Sequence, residues 1–142
     1  MMIAAILREK GNEVAFVAPD MRVADIVQEL TNRRIGAVLV IEGDSVVGVI
    51  SERDIVRCLA KRGAESLNLV AHEVMTAPVI TISPAESVPQ AMAMMTDRRI
   101  RHLPVLDSGR LVGLVSIGDL VKRRIDEAER EAGALKDYIS GA

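Results

Sequence analysis

An internal repeat with a period of 65 residues constrains this chain more than any other feature of its sequence. Residues 19–56 and 84–121 align without a gap and share 12 identities in 38 positions. The clearest shared stretch is Gly-Val-Ile-Ser-Glu-Arg-Asp at residues 48–54, which returns as Gly-Leu-Val-Ser-Ile-Gly-Asp at residues 113–119. Self-similarity at a fixed period indicates two copies of one supersecondary unit.

Each repeat predicts a strand, a helix, a two-stranded hairpin and a second helix. Apolar residues recur with helical spacing after the first strand, and β-branched runs on either side of a polar turn predict the hairpin. In the first repeat we predict strands at residues 14–18, 37–41 and 46–50, and helices at 22–34 and 51–61. In the second repeat we predict strands at residues 79–82, 103–106 and 111–115.

One repeat alone buries little apolar surface, so the two copies are expected to share a core. We predict an α+β fold in which two β-α-β-β-α repeats are related by a pseudo-two-fold axis and pack through their small sheets. Terminal helices flank this pair. The predicted boundaries are an N-terminal helix at 1–13, a first repeat at 14–63, a linker at 64–77, a second repeat at 78–125 and a helical tail at 126–142.

The tail carries a line of apolar residues at alternating spacings of four and three, which is typical of a helix seam. Such a seam packs against the chain's own body or a twin subunit, or it recruits a different partner. The seam residues are Val121, Ile125, Ala128, Ala132, Leu135 and Ile139.

Composition excludes several classes of protein. A formal charge of −2 and a pI near 5.7 argue against nucleic acid or an anionic membrane as a partner. Phe16 and Tyr138 are the only aromatic residues, so no stacking platform for bases is available. The single Cys58 forms no internal disulfide, no run of about 20 apolar residues is present, and we expect no signal peptide. We therefore predict a cytoplasmic protein.

No catalytic or metal-binding arrangement is evident in the sequence. The two histidines, His72 and His102, and Cys58 lack the spacing of metal ligands. They also suggest no nucleophile and base pair, so we predict no enzyme and no required metal. The basic run at residues 122–124 lies beside acidic residues and is expected to be a solvated helix face.

The repeated Ser-x-x-Asp sequence has two interpretations. As a capping box, the Ser accepts from a first-turn amide and the Asp accepts from the amide of the Ser, which only starts a helix. As a binding corner, the carboxylate accepts hydroxyl groups, and the N–H groups and dipole of the helix start attract an anion. The two roles can share one Ser.

The repeat resembles a tandem pair of CBS domains, also called a Bateman module, in a protein with no catalytic or DNA-binding domain attached. Spacing and repeat agree with that family as well as residue types, over roughly residues 10–125. The matching segments are residues 14–19, 35–40 and 48–54 in the first repeat, and 74–84, 95, 101–105 and 113–119 in the second.

The resemblance implies a regulatory module that binds an adenosine-containing ligand in clefts between the repeats. AMP is the first candidate, and ADP, ATP, NAD(H) and S-adenosylmethionine are the others. It also implies a homodimer whose conformation shifts on binding and modulates an unidentified protein. A non-catalytic dimeric scaffold, with corners that are helix caps only, is the alternative.

The resemblance also assigns roles to residues. Asp54 and Asp119 would bind the ribose hydroxyls. Phosphate would be bound by Ser51, Arg53, Arg101, His102, Ser116 and Gly118. The base would contact side chains or backbone of Gly36, Ala37, Val38, Thr76, Pro78, Val79, Pro104 and Ile117, and residues 10–12 occupy the place in the first repeat that corresponds to 75–77.

The two corners differ, and the second is the better candidate. Gly118 lets a ligand approach the backbone, whereas the first corner is crowded by charged residues. Arg101 and His102, which replace Gly36 and Ala37, add two side chains able to bind phosphate. For both, a surface or packing role is the simpler alternative.

Overall fold

The computed structural model describes residues 1–141 and divides the chain into two compact units. The first unit is Glu13–Thr81, and the second unit is Met1–Asn12 together with the chain from Ile82 onward. In chain order the elements are α1 (Ile3–Lys10), β1 (Phe16–Val17), α2 (Val23–Arg33), β2 (Ala37–Glu42), β3 (Ser45–Ser51), α3 (Glu52–Arg62), α4 (Ala71–Val74), α5 (Val88–Arg98), β4 (His102–Asp107), β5 (Arg110–Ser116) and α6 (Ile117–Ile139). A 3-10 helix, Gly63–Asn68, follows α3. Within residues 1–141, two sheets and six α-helices confirm the predicted α+β class.

The first unit is built on a three-stranded sheet. Strand β1 pairs in parallel with β2, and β2 pairs antiparallel with β3, so that Ala37 lies opposite Ser51. The apolar side chains of α2, the strands and α3 form one core, as the helical spacing of the sequence predicts. Its fully buried members include Val23, Ile26, Val38, Val40 and Ile50.

The second unit repeats the hairpin but not the first strand. Strands β4 and β5 form a two-stranded antiparallel sheet in which His102 lies opposite Ser116. The strand predicted at residues 79–82 is wrong, because only Ile82 forms a bridge, in parallel with Val105. Pro78 and Pro84 bracket this segment, and prolines restrict the backbone and donate no N–H to a ladder.

Helix α1 precedes the first repeat in the chain but packs in the second unit. The amides of Ile3 and Ala4 donate to the carbonyls of Glu86 and Pro84, at 2.9 and 3.0 Å. Ile3 and Ile6 are buried, at 0% and 4% exposure. Burying these side chains stabilises the contact by about 1.5–3 kcal/mol each. Helix α1 is therefore an integral part of the second unit.

An ion pair joins α1 to α6 in the same unit. The buried guanidinium of Arg123 donates to the carboxylate of Glu9, and this hydrogen bond holds the pKa of Glu9 below its usual range. The expectation that residues 122–124 form a solvated face is therefore wrong for Arg123, which is only 9% exposed.

The segment after α3 packs in the first unit, just as α1 packs in the second unit. The amides of Ala71 and His72 donate to the carbonyls of Met21 and Pro19, at 2.8 and 2.9 Å. Ala71 is fully buried. Residues 64–77, which the sequence predicted as a linker, therefore belong to the first unit.

The apolar seam on α6 is largely exposed within the described chain. Val121 and Ile125 are 40% and 53% exposed, and Leu135 and Ile139 are 59% and 74% exposed. The described part of the chain therefore leaves most of this seam uncovered. Among residues 1–141, no helix combines the length and apolar character needed to cross a membrane.

Candidate functional site

Both Ser-x-x-Asp sequences lie where the last strand of a hairpin enters a helix. At the first corner, β3 ends at Ser51 and α3 begins, and Asp54 is the third helical residue. At the second corner, β5 ends at Ser116 and α6 begins, and Asp119 is the third helical residue. The hairpin geometry thus brings a hydroxyl, a carboxylate and a helix N-terminus together twice.

A capping box forms at each corner, which confirms that interpretation of the motif. The Ser51 amide donates to Asp54 Oδ2 at 2.8 Å, and the Asp54 amide donates to Ser51 Oγ at 3.4 Å. The equivalent bonds between Ser116 and Asp119 are 2.8 and 3.2 Å long. These bonds fix the carboxylate over the first turn, where the helix dipole favours negative charge.

The first turn of each helix offers a ligand fewer amides than the sequence implied. The first helical residue donates to the residue before the hairpin, Glu52 to the Gly36 carbonyl at 3.0 Å and Ile117 to the Arg101 carbonyl at 2.8 Å. The third helical residue donates to the capping serine. The second helical position, which is the exposed Gly118 at the second corner, is left as the amide best placed for an anion.

At the first corner, Asp54 has a neutral partner outside the repeat. The Thr76 hydroxyl donates to Asp54 Oδ1 at 2.8 Å. Two backbone bonds between Thr76 and Val49, of 2.9 and 3.1 Å, hold the threonine beside β3. Thr76, which the sequence assigned to the base, therefore lies against the carboxylate that the sequence assigned to the ribose.

At the second corner, Asp119 has a cationic partner outside the repeat. The Lys10 ammonium donates to Asp119 Oδ2 at 2.6 Å and to the Leu114 carbonyl at 2.7 Å. The two side chains are partly open to solvent, with 36% of Lys10 and 26% of Asp119 exposed. The Lys10–Asp119 ion pair is therefore only partly buried.

The pKa of Asp119 lies below its usual range. Partial burial alone would raise this pKa, but the hydrogen bonds from Lys10 and Ser116 and the charge of Lys10 outweigh that effect. Asp119 is therefore ionised at neutral pH and able to accept further hydrogen bonds.

Lys10 has a contact that the sequence did not assign to it. The repeat register pairs Lys10 with Met75 and places residues 10–12 in the first repeat. The structure instead places Lys10 against Asp119 of the second repeat, 109 residues away. A lysine at the end of a helix that precedes the repeat carried no signal for this long-range contact.

The other predicted phosphate residues surround the corners to different degrees. The side chains of Arg53 and Arg101 are exposed, and His102 is half-buried in register with Ser116. Gly118 is exposed, and a Cβ there would meet only Ser116 Oγ, at an ordinary 3.6 Å. Space beside Gly118 therefore agrees with the expected approach of a ligand, which stays a prediction.

Several residues predicted to contact the base are buried in strands. Ala37 and Val38 are 3% and 0% exposed, and Pro104 is buried in β4. Their predicted role therefore rests on backbone atoms. Pro78 is exposed and Val79 is half-buried in the segment that follows Thr76.

A separate cleft of about 440 Å³ lies between α2 and α3 of the first unit. Its lining is mainly apolar and includes Gly36 and Glu52, but not Asp54. It therefore does not contain the carboxylate on which the candidate site depends. Among the described residues, no group of three or more His, Cys, Asp and Glu side chains is arranged to hold a metal ion.

Comparison with known families identifies the repeat. The CBS domain matches this chain twice, at residues 6–61 and 70–126. These matches cover well over half of the sequence, and the chain therefore belongs to the CBS domain family and contains two CBS domains.

Individual relatives agree with this assignment. The chain is 34% identical to the mitochondrial CBS domain-containing protein CBSX3 of Arabidopsis thaliana, over 98% of this chain and 72% of that protein. It is also similar to the solved structure of a signal-transduction protein with CBS domains from Burkholderia ambifaria, with a TM-score of 0.85, 40% identity and coverage of 89% and 95% of the two chains. The CBS domain protein PAE2072 from Pyrobaculum aerophilum, solved in complex with AMP, has a TM-score of 0.73, 28% identity and coverage of 84% and 89%.

Proposed function

We propose that this protein is a regulatory module, not an enzyme, and that it binds an adenine nucleotide at its Ser-x-x-Asp corners. AMP is the first candidate ligand, ahead of ADP, ATP, NAD(H) and S-adenosylmethionine. Binding shifts the conformation of a homodimer and so modulates an unidentified protein.

The observation that carries this proposal is the pair of fixed, partly exposed carboxylates. Asp54 and Asp119 are each held by a backbone amide at 2.8 Å, which fixes the carboxylate before any ligand arrives. A carboxylate has about four acceptor positions, so each Asp can accept the two adjacent hydroxyls of a ribose. Such charge-assisted bonds contribute about 1.5–3 kcal/mol each.

The choice of AMP is supported by the Pyrobaculum aerophilum relative, whose structure contains that nucleotide. The composition of this chain agrees with an aliphatic base site, since only Phe16 and Tyr138 are aromatic. A small nucleotide with one phosphate also suits a corner with few unoccupied amides.

The homodimer is supported by the exposed seam on α6. Val121, Ile125, Leu135 and Ile139 form an apolar line along one helix that the described chain leaves uncovered. A twin subunit would cover the same line on both copies, as two-fold symmetry requires.

A second candidate function, the non-catalytic dimeric scaffold, is favoured by the capping boxes. At both corners the capping box alone is enough to explain the Ser-x-x-Asp sequence. The side chains of the serine and the aspartate each accept a hydrogen bond from the backbone amide of the other residue. On this hypothesis, removal of residues 126–142 abolishes assembly and no nucleotide binds.

Isothermal titration calorimetry of the full chain with AMP and the four alternatives tests the proposal. Asp54→Asn and Asp119→Asn keep the size of the side chain but remove its charge, and at least one should weaken AMP binding by roughly 10- to 100-fold, equivalent to the 1.5–3 kcal/mol of one charge-assisted bond.

The Ser87–Gln90 capping box at the start of α5 provides a matched control. Gln90→Ala removes the side-chain acceptor of the Ser87 amide, outside both corners, so it should lower stability by about 1 kcal/mol without changing AMP affinity. No binding heat with any of the five ligands, or equal AMP affinity in both Asn variants and the parent, contradicts the proposed function.

A further inference from the structure

We propose that Lys10 determines the ligand specificity of the second corner: it neutralises Asp119 when the corner is empty and binds the ligand's phosphate when Asp119 binds the ribose. The corner would therefore select phosphorylated adenosines over adenosine itself. This inference rests on the proposed function, and it concerns a residue of α1 that lies outside the repeated Ser-x-x-Asp sequence.

The ammonium of Lys10 lies within the candidate site. Its distance to Asp119 Oδ2 is 2.6 Å, and its distance to the Leu114 carbonyl is 2.7 Å. These bonds use two of the three N–H donors of an ammonium. With 36% of its side chain exposed, Lys10 is reachable by a ligand that enters from solvent.

Lys10 can move its charge without moving its helix. The fixed part of α1 is held by buried Ile3 and Ile6 and by the Glu9–Arg123 ion pair. The lysine itself ends the helix just before Gly11, and its four-carbon stem is flexible. The ammonium can therefore turn from Asp119 to a phosphate a few ångströms away while the backbone stays in place.

Charge balance explains why the phosphate would matter. A ribose hydroxyl that replaces Lys10 at Asp119 breaks an ion pair, and a neutral ligand supplies no other anion for the ammonium. A phosphate restores a charge-assisted bond to Lys10, and the positive charge of Lys10 offsets the repulsion that Asp119 alone would exert on an anionic ligand.

The first corner provides the contrast. There the partner of Asp54 is the neutral hydroxyl of Thr76, at 2.8 Å. A ribose that displaces a hydroxyl separates no ion pair, so this requirement for a phosphate does not apply. Lys10 therefore confers a preference on one corner that the repeated sequence alone cannot.

The test compares AMP with adenosine by isothermal titration calorimetry on the full chain. Lys10→Met keeps the apolar stem and removes the charge, and it should lower AMP affinity at least tenfold while leaving adenosine affinity unchanged or higher. Lys10→Arg keeps the charge and should retain most of the AMP preference. Circular dichroism establishes that each variant is folded.

Arg8→Met is the matched control, because Arg8 is an exposed cation on the same helix. It removes the same net charge and should leave the ratio of AMP to adenosine affinity within about twofold of the parent. Failure of the parent to bind either ligand would overturn the proposed function and this inference with it. If the parent binds AMP but Lys10→Met keeps the parent's affinity ratio, or Arg8→Met lowers it equally, only the assignment of Lys10 is wrong.

Discussion

The two corners have the same local structure and different partners. Asp54 and Asp119 both accept from the amide of a capping serine at 2.8 Å. Asp54 then accepts from the hydroxyl of Thr76, whereas Asp119 accepts from the ammonium of Lys10. Both caps lie within the aligned residues 19–56 and 84–121, whereas each partner comes from a segment outside them.

This difference shows where two copies of the same local structure can diverge. The capping box must stay the same, because it starts the helix and fixes the carboxylate. The segment that packs beside it, α1 in one unit and the residues after α4 in the other, presents a cation or a hydroxyl. The partner of the carboxylate can therefore change without any change in the repeated core.

The largest effect on stability should come from Gly48 and Gly113, the equivalent glycines that pack closely against these two segments. A Cβ on Gly48 would lie 2.7 and 2.9 Å from Cγ and Cβ of Met75, so the backbone before Thr76 would have to move. Gly48→Ala should lower the free energy of unfolding by about 1–3 kcal/mol, as overpacking usually does. Urea unfolding followed by circular dichroism measures this change.

Gly113→Ala is the matched variant in the second unit. Its Cβ would lie 2.5 and 3.2 Å from the two methyl groups at the flexible end of Leu7, which can rotate away. We expect a loss of less than about 1 kcal/mol. An equal or larger loss in Gly113→Ala would show that α1 is held as rigidly as the segment at Met75.

A smaller effect on stability should come from Thr76 and Lys10, the partners of the two carboxylates. The two stability losses should differ in their dependence on salt concentration. Thr76→Val removes a hydroxyl and should cost about 1 kcal/mol at any ionic strength. Lys10→Met removes a partly exposed ion pair, which is worth about 0.2–1 kcal/mol, and this loss should shrink toward zero in 1 M salt.

Unfolding of the two ligand-free variants in low and high salt measures both losses. A Lys10→Met loss that does not change with salt would mean that packing of the lysine stem, and not its charge, supports the corner.

The smallest effect concerns acid stability at the second corner. Because the folded-state pKa of Asp119 is lowered, its contribution to stability is fully present above the ordinary Asp pKa of about 3.9 and is lost as the pH falls through the lower folded-state value. Lys10→Met removes a cause of the lowering, so the Asp119 pKa should rise, and both this contribution to stability and the pH range over which it is lost should become smaller.

Carboxyl carbon NMR titration of Asp119 in the parent and in Lys10→Met checks this directly. Lys10→Arg serves as the control, since it retains the positive charge and should keep the pKa low. The same Asp119 pKa in the parent and in Lys10→Met would show that the Lys10–Asp119 pair does not persist in solution.

Much of the fold was predictable because its signals are local. The helical spacing of residues 22–34 predicted α2, which spans Val23–Arg33, and the polar turn between two β-branched runs predicted β2 and β3. The strand predicted at residues 79–82 failed because a strand also needs a ladder partner. Of residues 79–82, only Ile82 has such a partner, which is Val105.

The sequence by itself showed the repeat, and it determined α2, α3 and the two caps, since each of these three features depends on residues only a few positions apart. It did not determine what Asp54 and Asp119 bind, or that Arg123 is buried while the seam on α6 is exposed. Those outcomes depend on contacts between segments that are far apart in the sequence. One example is the contact between Lys10 and Asp119, which are 109 residues apart. Only the tertiary structure assigns α1 to the second unit, and with it a cation to one corner and a hydroxyl to the other.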